Sequence, residues 1–234
     1  MEKNINIKKR KRIPRAKVTF EKEAWQRGGL LCGIDEVGRG CLAGPVITAA
    51  VVLYPKKVFP LLKDSKLLSH DQRVRAAKWI KTHSWYAYGI VSHHEIDCYN
   101  IYQATKIAMC RAVMHLMSQL PQLPQKIVVD AMPLSFTDGP LQFCDIVSIP
   151  FAEQQSVSVA AASILAKVKR DELMNIYEKI FPGYALAQHK GYATTIHRHS
   201  IFTEGRSIIH RNTFLKDLKE MQGDEYEQQI ALFC

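Results

Sequence analysis

Short apolar runs alternate with amphipathic stretches along the chain, and each pattern predicts one kind of element. Residues 31–37 (LCGIDEV) and 46–54 (VITAAVVLY) are apolar and rich in β-branched residues, so they predict two strands joined by the glycine-rich connection GRGCLAGP. Apolar positions at helical spacing, preceded in one case by the capping residue Ser69, predict helices. The other predicted elements are strands over 85–92, 126–131 and 144–151 and helices over 69–81, 95–119 and 156–180.

The order of these elements indicates the fold class. Two sequential strands followed by alternating helices and strands predict an α/β protein, with antiparallel strands at one side of the sheet and helices packed on it. We expect a flexible arm over residues 1–20, a main domain over 21–181 and a small, partly helical appendage over 182–234.

Composition narrows the class of protein. An apolar content of 47% in 234 residues is enough for one sizeable core. The longest nearly apolar run, residues 42–54, is too short to cross a bilayer, and no charged-then-apolar secretion signal opens the chain, so we expect a cytoplasmic protein. The six cysteines form no CxxC pair and no zinc-finger spacing, which favours reduced thiols.

The net charge of +10 is concentrated in a tail. Residues 1–17 hold eight lysines and arginines against one glutamate, and the rest of the chain carries only a small excess of positive charge. A basic tail of this kind is either simply solvated or an aid to phosphate contact, and both alternatives stay open. Charge alone does not identify a nucleic-acid partner.

Carboxylates end two of the predicted strands. Asp35 and Glu36 follow an apolar run, and Asp130 ends the run KIVVD. Side chains at strand ends of an α/β sheet gather at its rim, where a divalent cation such as Mg²⁺ would relieve their repulsion. A lone aspartate there would more often be a cap or turn residue. Since neighbouring strand residues point to opposite faces, a bend near Gly38 or the reach of Glu36 must bring both acids to one site.

Six segments in order resemble type 2 ribonuclease H, also called ribonuclease HII, over about residues 29–216. The most specific of them is GIDEVGRGCLAGPV at 33–46. The others are KDSKLLS (63–69), VVDA (128–131), AASILAKVKRD (161–171), HKGYAT (189–194) and IIHR (208–211).

The resemblance implies a ribonuclease H-like fold, with a mixed five-stranded sheet in a catalytic domain over 21–181 and substrate contacts from 182–234. It implies cleavage of the RNA strand of RNA–DNA hybrids, and of DNA duplexes containing ribonucleotides, 5′ to the ribonucleotide. The expected products carry a 3′-hydroxyl and a 5′-phosphate, and four acids are expected to hold two Mg²⁺ or Mn²⁺ ions. We also expect a monomer with no membrane partner.

Three of the four implied catalytic and metal-binding acids map directly onto Asp35, Glu36 and Asp130. The fourth departs from the family's pattern, because the position ten residues before Ser163 holds Glu153 where an aspartate is usual. Asp145 and Asp171 are the alternatives, although Asp171 is also placed to pair with a lysine one helical turn earlier. The chain also reads Asp-Ala after the KIVV run, where the family usually has Asp-Gly.

The same resemblance implies a set of substrate-binding residues. Glycines permit close approach of backbone to a sugar, and their peptide groups can bond the 2′-hydroxyl that distinguishes RNA from DNA. An aromatic ring suits stacking on a sugar, and basic side chains suit phosphates. The implied residues are Gly38, Arg39 and Gly40 for the ribonucleotide, Tyr192 for the following deoxyribose, and Lys66, Lys190 and Arg211 for phosphates.

Two rival functions remain at this point. A protein that binds hybrids without cutting them could have lost metal competence through Glu153, although three intact acids count against it. Another nuclease of the same broad fold is the second rival, and the GRG and HKGY segments count against that one. The histidines between 189 and 210 are dense, but no cysteine joins them and the family uses this region for substrate, so we do not expect zinc.

Overall fold

The computed structural model describes residues 15–135 and 144–215. Within these ranges one mixed sheet has the strand order β3-β2-β1-β4-β5. Strands β1, β2 and β3 pair antiparallel, whereas β1, β4 and β5 run parallel to one another. The strands are β1 (Leu31–Val37), β2 (Val46–Leu53), β3 (Ser84–Val91), β4 (Lys126–Asp130) and β5 (Asp145–Ile149). The predicted mixed sheet is therefore confirmed.

Six helices accompany this sheet in the described ranges, and side-chain caps start the long ones. Ser69 and Ser92 each accept a hydrogen bond from the third residue of the following helix, whose side chain bonds back in return. The helices are α1 (Thr19–Gln26), α2 (His70–Thr82), α3 (His93–Met117), α4 (Val157–Ile180), α5 (Leu186–His189) and α6 (Thr195–Glu204). The three helices predicted from the sequence are observed with ends shifted by at most two residues, while α1 was not predicted.

Helices cover both faces of the sheet. Helix α4 is buried along its first ten residues and packs on one face together with α2. Helix α3 packs on the other face. Glycines allow both approaches, since a Cβ on Gly33 would lie 2.3 Å from the backbone of Ser158, and one on Gly89 would lie 1.8 Å from the carbonyl oxygen of Ala108. No helix in the described residues is long and apolar enough to span a membrane.

The last residues of the predicted arm are bonded to the main domain. The backbone N–H groups of Ala16 and Lys17 donate to the carbonyls of Leu62 and Gln154, at 3.0 and 2.9 Å. Helix α1 then begins at Thr19. These bonds attach residues 15–20 to the main domain, in contrast to the flexible segment expected there. The first fourteen residues of the predicted arm lie outside the described residues.

The C-terminal segment packs directly on α4 and on the loop after β1. Met174 of α4, Tyr184, Leu186, Ile209 and Ala43 of the loop share one apolar cluster. The loop and this segment are also joined by the backbone bond from the N–H of Gly44 to the carbonyl of Ile209, at 2.9 Å. Residues 182–215 are thus continuous with the main domain, and residues 216–234 of the predicted appendage lie outside the described residues.

Candidate active site

Two acidic residues lie side by side at the carboxyl ends of parallel strands. Ile34 of β1 pairs with Val129 of β4, so the next residues along, Asp35 and Asp130, are neighbours across the two strands. Adjacent strands are about 4.8 Å apart, which brings these carboxylates to the same edge of the sheet. Glu36 follows at once on β1. The prediction that the three acids share one end of the sheet is confirmed.

Asp35 and Glu36 reach this edge from opposite faces of β1. Asp35 lies on the same face as Gly33, toward α4, where the hydroxyl of Ser163 donates to its side chain. Glu36 points the other way, and its Oε1 lies 3.4 Å from Nη1 of Arg39. The charge of Asp130 nevertheless acts on both carboxyl groups. Strand β1 stays regular to Val37, so a bend within the strand does not bring Glu36 to the face of Asp35, and the reach of the longer side chain is the alternative that remains.

Glu153 lies beside Asp130. A short 3₁₀ turn, Ala152–Gln154, follows β5, and the N–H of Ala152 donates to Oδ1 of Asp130 at 3.0 Å. The side chain of Glu153 is buried, and the charges of Asp130, Asp64 and Lys66 act on it. The turn therefore brings a fourth carboxylate next to Asp130.

Neither alternative fourth acid lies at this edge. Asp145 pairs in register with Lys126 at the start of the parallel strands, four residues or about 13 Å from the end where Asp130 lies. Its carboxylate is 3.1 Å from the lysine Nζ. Asp171 lies on α4 eight residues beyond Ser163, about 12 Å along the helix. It pairs with Lys167 at 2.7 Å.

Burial and mutual repulsion disfavour negative charge on these carboxyl groups. Burial raises the pKa of Asp35 well above its usual value, and the charges of Glu36 and Asp130 raise it further. Burial also raises the pKa of Glu36, against the opposing effect of Arg39. The pKa of Glu153 is raised by burial, with a smaller contribution from Asp130. A cation at this edge would favour the ionised forms.

Two unsatisfied carboxylate oxygens have the donor chemistry that suits a divalent cation. Oε2 of Glu36 and Oε2 of Glu153 are buried and accept no hydrogen bond from the described residues. Leaving a buried acceptor unpaired is costly, and Mg²⁺ or Mn²⁺ prefers carboxylate oxygens of this kind.

The carboxylates are not gathered around a point, however. In residues 15–135 and 144–215 no group of three or more histidine, cysteine, aspartate or glutamate side chains is arranged to hold a metal ion. The positive charge of Arg39 and the N–H of Ala152 instead engage one oxygen each of Glu36 and Asp130. Binding an ion would require these side chains to turn toward one point, and the charge of the ion would offset their mutual repulsion.

The residue after Asp130 adopts a conformation that glycine adopts more readily. Ala131 has a φ of 52°, in the left-handed region. Its N–H donates to the carbonyl of Ile149 at 3.0 Å, and the N–H of Met132 donates to the carbonyl of Asp130 at 2.6 Å. Alanine therefore makes this turn at some cost in strain, where glycine would make it freely.

Arg211 lies beneath the glycine-rich loop, where its buried side chain cannot make the predicted phosphate contact. The side chain is fully buried. Its guanidinium donates to the carbonyl oxygens of Gly38 at 2.7 Å, Arg39 at 2.8 Å and Gly44 at 2.8 and 3.0 Å. A phosphate cannot reach a group covered in this way, so Arg211 shapes the loop from inside.

Arg170 is a second buried arginine under the same loop, and its role was not predicted from the sequence. It donates to the carbonyls of Ala43 and Pro45, each at 3.1 Å, and of Lys190 at 2.7 Å. It therefore ties the loop to the HKGYAT segment. The available signal was a basic residue seven positions after Ser163, which is on the same face of α4.

Tyr192 lies next to the glycine-rich loop. It forms an isolated β-bridge with Cys41, and the N–H of Leu42 donates to the carbonyl of Gly191 at 2.8 Å. The side chain is 39% exposed, and its ring centroid lies 5.8 Å from the guanidinium carbon of Arg170. An aromatic face thus borders the loop that contains Gly38, the half-buried Arg39 and the exposed Gly40.

The two predicted lysines have different surroundings. Lys66 is exposed, and its charge acts on the buried carboxyl of Glu153. The preceding Ser65 hydroxyl lies 3.0 Å from that of Ser163, which links the lysine's turn to the acidic edge. Lys190 donates from Nζ to the side chain of Asn175 and to a nearby backbone carbonyl. Lys66 is therefore the freer of the two to meet a phosphate.

The comparisons with known proteins agree with one another. A family model described as Ribonuclease HII matches residues 32–217. The ribonuclease HII of Levilactobacillus brevis is 44% identical over 208 residues, which cover 88% of this chain and 77% of that protein. The ribonuclease HII of Thermus thermophilus is 41% identical over 196 residues, which cover 83% of this chain and 91% of that protein.

Solved structures share the fold. Ribonuclease H2 from Pyrococcus horikoshii superposes with a TM-score of 0.63 at 23% identity, covering 82% of this chain and 98% of that one. Bst-RNase HIII, solved in complex with Mn²⁺, superposes with a TM-score of 0.62 at 23% identity, covering 81% of this chain and 69% of that one.

Proposed function

The chain belongs to the ribonuclease HII family and is a ribonuclease H, and on that premise we propose its substrate and its chemistry. It cuts the RNA strand of RNA–DNA hybrids and ribonucleotides embedded in duplex DNA, on the 5′ side of the ribonucleotide. The reaction uses two divalent ions, Mg²⁺ or Mn²⁺, and leaves a 3′-hydroxyl and a 5′-phosphate.

One observation carries the proposal. Asp35, Glu36 and Asp130 lie at the carboxyl ends of two neighbouring strands and Glu153 follows beside Asp130, and two of the buried oxygens lack a partner among the described residues. These four carboxylates would hold the ions. When bound, such ions activate the attacking water and stabilise the leaving oxygen. Glu153 supplies the oxygen that the family usually takes from an aspartate, which argues against a protein that only binds hybrids.

The glycine-rich loop is suited to recognising the ribose. The carbonyls of Gly38 and Arg39 are engaged from below by Arg211, whereas the amides of Arg39 and Gly40 donate no hydrogen bond to the described residues. Those amides can donate to a 2′-hydroxyl, which DNA lacks. The ring of Tyr192 beside the loop can pack on the next sugar.

Basic groups favour phosphate binding at the same edge. Lys66 is exposed next to the acidic group and can contact the backbone of the cut strand. Lys190 can do so only after releasing Asn175. The basic segment over residues 1–14 would add charge attraction without sequence preference.

The test compares acids at opposite ends of the sheet. Asp35→Asn and Asp130→Asn should each lower cleavage of a labelled RNA–DNA hybrid by at least about a hundredfold, because even small misplacement of reacting groups has costs of that size. Asp145→Asn is the matched control and should cut at the wild-type rate. Circular dichroism should show that all three variants are folded. Wild-type activity in Asp130→Asn would overturn the assignment of the site.

A further inference from the structure

Three buried histidines lie behind the HKGYAT segment. His189, His197 and His210 are at most 8% exposed. The rings of His189 and His197 stack with centroids 4.2 Å apart, and Nε2 of His197 lies 3.1 Å from Nε2 of His210. The proposed cleavage reaction assigns them no role.

Their neighbours determine which ring nitrogens carry protons. Nδ1 of His210 lies 2.9 Å from the backbone N–H of Ser207, which can only donate, so the proton of His210 is on Nε2. Nδ1 of His197 lies 2.9 Å from the carbonyl oxygen of Tyr192, which can only accept, so the proton of His197 is on Nδ1. His210 therefore donates to His197, and His197 donates to Tyr192.

His189 holds the other side of the same peptide segment. Its Nδ1 accepts from the N–H of Gly191 at 3.1 Å, and its Nε2 donates to the carbonyl of Tyr184 at 2.7 Å. All six ring nitrogens of the three histidines are thus engaged. No ring nitrogen of the three is therefore free to bind a metal without losing one of these bonds.

Burial keeps the rings neutral at physiological pH. It lowers the pKa of His197 and of His210 to about 4, and the pKa of His189 is lowered in the same way. The other titratable groups that act on this cluster are His93, Lys190 and Glu178. A neutral ring can accept on one side and donate on the other, as this hydrogen-bond chain requires.

We propose that His210 and His197 are positioning residues, which fix the backbone of Tyr192 so that its ring stays beside the glycine-rich loop. The carbonyl that His197 holds belongs to the residue whose ring is proposed to pack on the sugar after the ribonucleotide. Loss of that bond would let the segment from Lys190 to Tyr192 shift, although Arg170 still holds its start. The expected effect on substrate binding rests on the proposed function, whereas the hydrogen-bond geometry does not depend on it.

The first experiment needs no substrate. Nitrogen-15 NMR of the full-length labelled protein at pH 7 reports which ring nitrogen of each histidine is protonated. We expect His197 with its proton on Nδ1, a form that free histidine rarely adopts, and His210 with its proton on Nε2. A proton on Nε2 of His197, or a cationic ring at either position, would overturn the proposal.

The second experiment uses two variants of His197 that each keep one of its two hydrogen bonds. In His197→Asn the amide nitrogen falls near the position of Nδ1 and can still donate to the carbonyl of Tyr192. In His197→Gln the amide falls near Nε2, where its oxygen can accept from His210 but no group donates to Tyr192. On a duplex with one embedded ribonucleotide, the KM of the glutamine variant should exceed that of the asparagine variant by about tenfold, the equivalent of one hydrogen bond. The exposed His199→Asn is the matched control and should match the wild type.

The consequence through Tyr192 is tested in the background Tyr192→Ala. With the ring absent, the asparagine and glutamine variants should have equal KM values, and an undiminished difference between them would overturn the positioning role. If wild-type protein does not cut the embedded ribonucleotide, the proposed function fails while the NMR result stands by itself. Should both variants fail to fold, the protonation pattern of the wild-type rings decides.

Discussion

Replacing Arg211 with lysine tests whether this side chain shapes the loop or contacts phosphate. The arginine makes four hydrogen bonds to the carbonyls of Gly38, Arg39 and Gly44. A single ammonium group cannot reach all three carbonyls, so at least two of the four bonds are lost. Hydrogen bonds to a charged group contribute about 1.5–3 kcal/mol each, and relaxation recovers part of this, so we expect a loss of about 2–4 kcal/mol in the free energy of unfolding.

Two measurements on the same variant test this reasoning. Urea unfolding gives the stability. Binding to a hybrid at several salt concentrations, in the inactive Asp130→Asn background, gives the salt dependence of affinity. Because Arg211 is buried, the slope should equal that of the parent, whereas each lost phosphate contact would reduce it by about 0.9. Lys66→Ala is the comparison variant. We expect it to reduce the salt dependence of hybrid binding and to leave the free energy of unfolding unchanged. Unchanged stability with a reduced slope in Arg211→Lys would refute the reasoning.

Three further predictions concern the fourth acid, the arm and acid pH. Glu153→Gln should reduce the turnover rate by roughly a hundredfold with little change in hybrid binding, while Glu153→Asp keeps substantial activity; steady-state kinetics would contradict this if the glutamine variant were fully active and Asp171→Asn inactive. Deleting residues 1–14 should weaken hybrid binding and flatten its salt dependence, so an unchanged slope would mean that the arm does not touch substrate. Because the folded-state pKa values of His197 and His210 are about 4, against about 6.5 unfolded, the unfolded chain binds more protons between these values. Stability should therefore fall as the pH drops from 6.5 to 4, by about 3 kcal/mol per histidine, and urea unfolding of His210→Gln should show a shallower dependence than the wild type.

Elements whose burial is one-sided or complete were predictable from the sequence, because their apolar pattern repeats locally. Strand β1 and helix α4 are of this kind. Helix α1 was not, since it buries only Glu21 and Ala24 and its sequence has little apolar periodicity. Glu21 is accommodated by Ser156 and the N–H of Ser158, more than a hundred residues away along the chain.

The acids of the site were predictable and the arginines beneath the loop were not. Asp35 and Asp130 interrupt apolar runs at strand ends, which is a local signal. Arg211 instead donates hydrogen bonds to carbonyls up to 173 residues away along the sequence, and Arg170 donates to carbonyls on two separate segments. No local pattern distinguishes such an arginine from a solvated one. The same limit applied to Asp145, whose distance from the site depends on the register of β4 and β5.

The central claim is that the acidic edge cuts next to a ribonucleotide with the help of divalent ions. The most direct measurement is incubation of the wild-type protein with an end-labelled DNA duplex that contains one ribonucleotide, with Mg²⁺, with Mn²⁺ and with chelator. We predict one cut, immediately 5′ to the ribonucleotide, that requires an ion and leaves a 3′-hydroxyl and a 5′-phosphate. Cleavage in chelator, cleavage of the all-DNA duplex, or no cleavage with either ion would contradict the account.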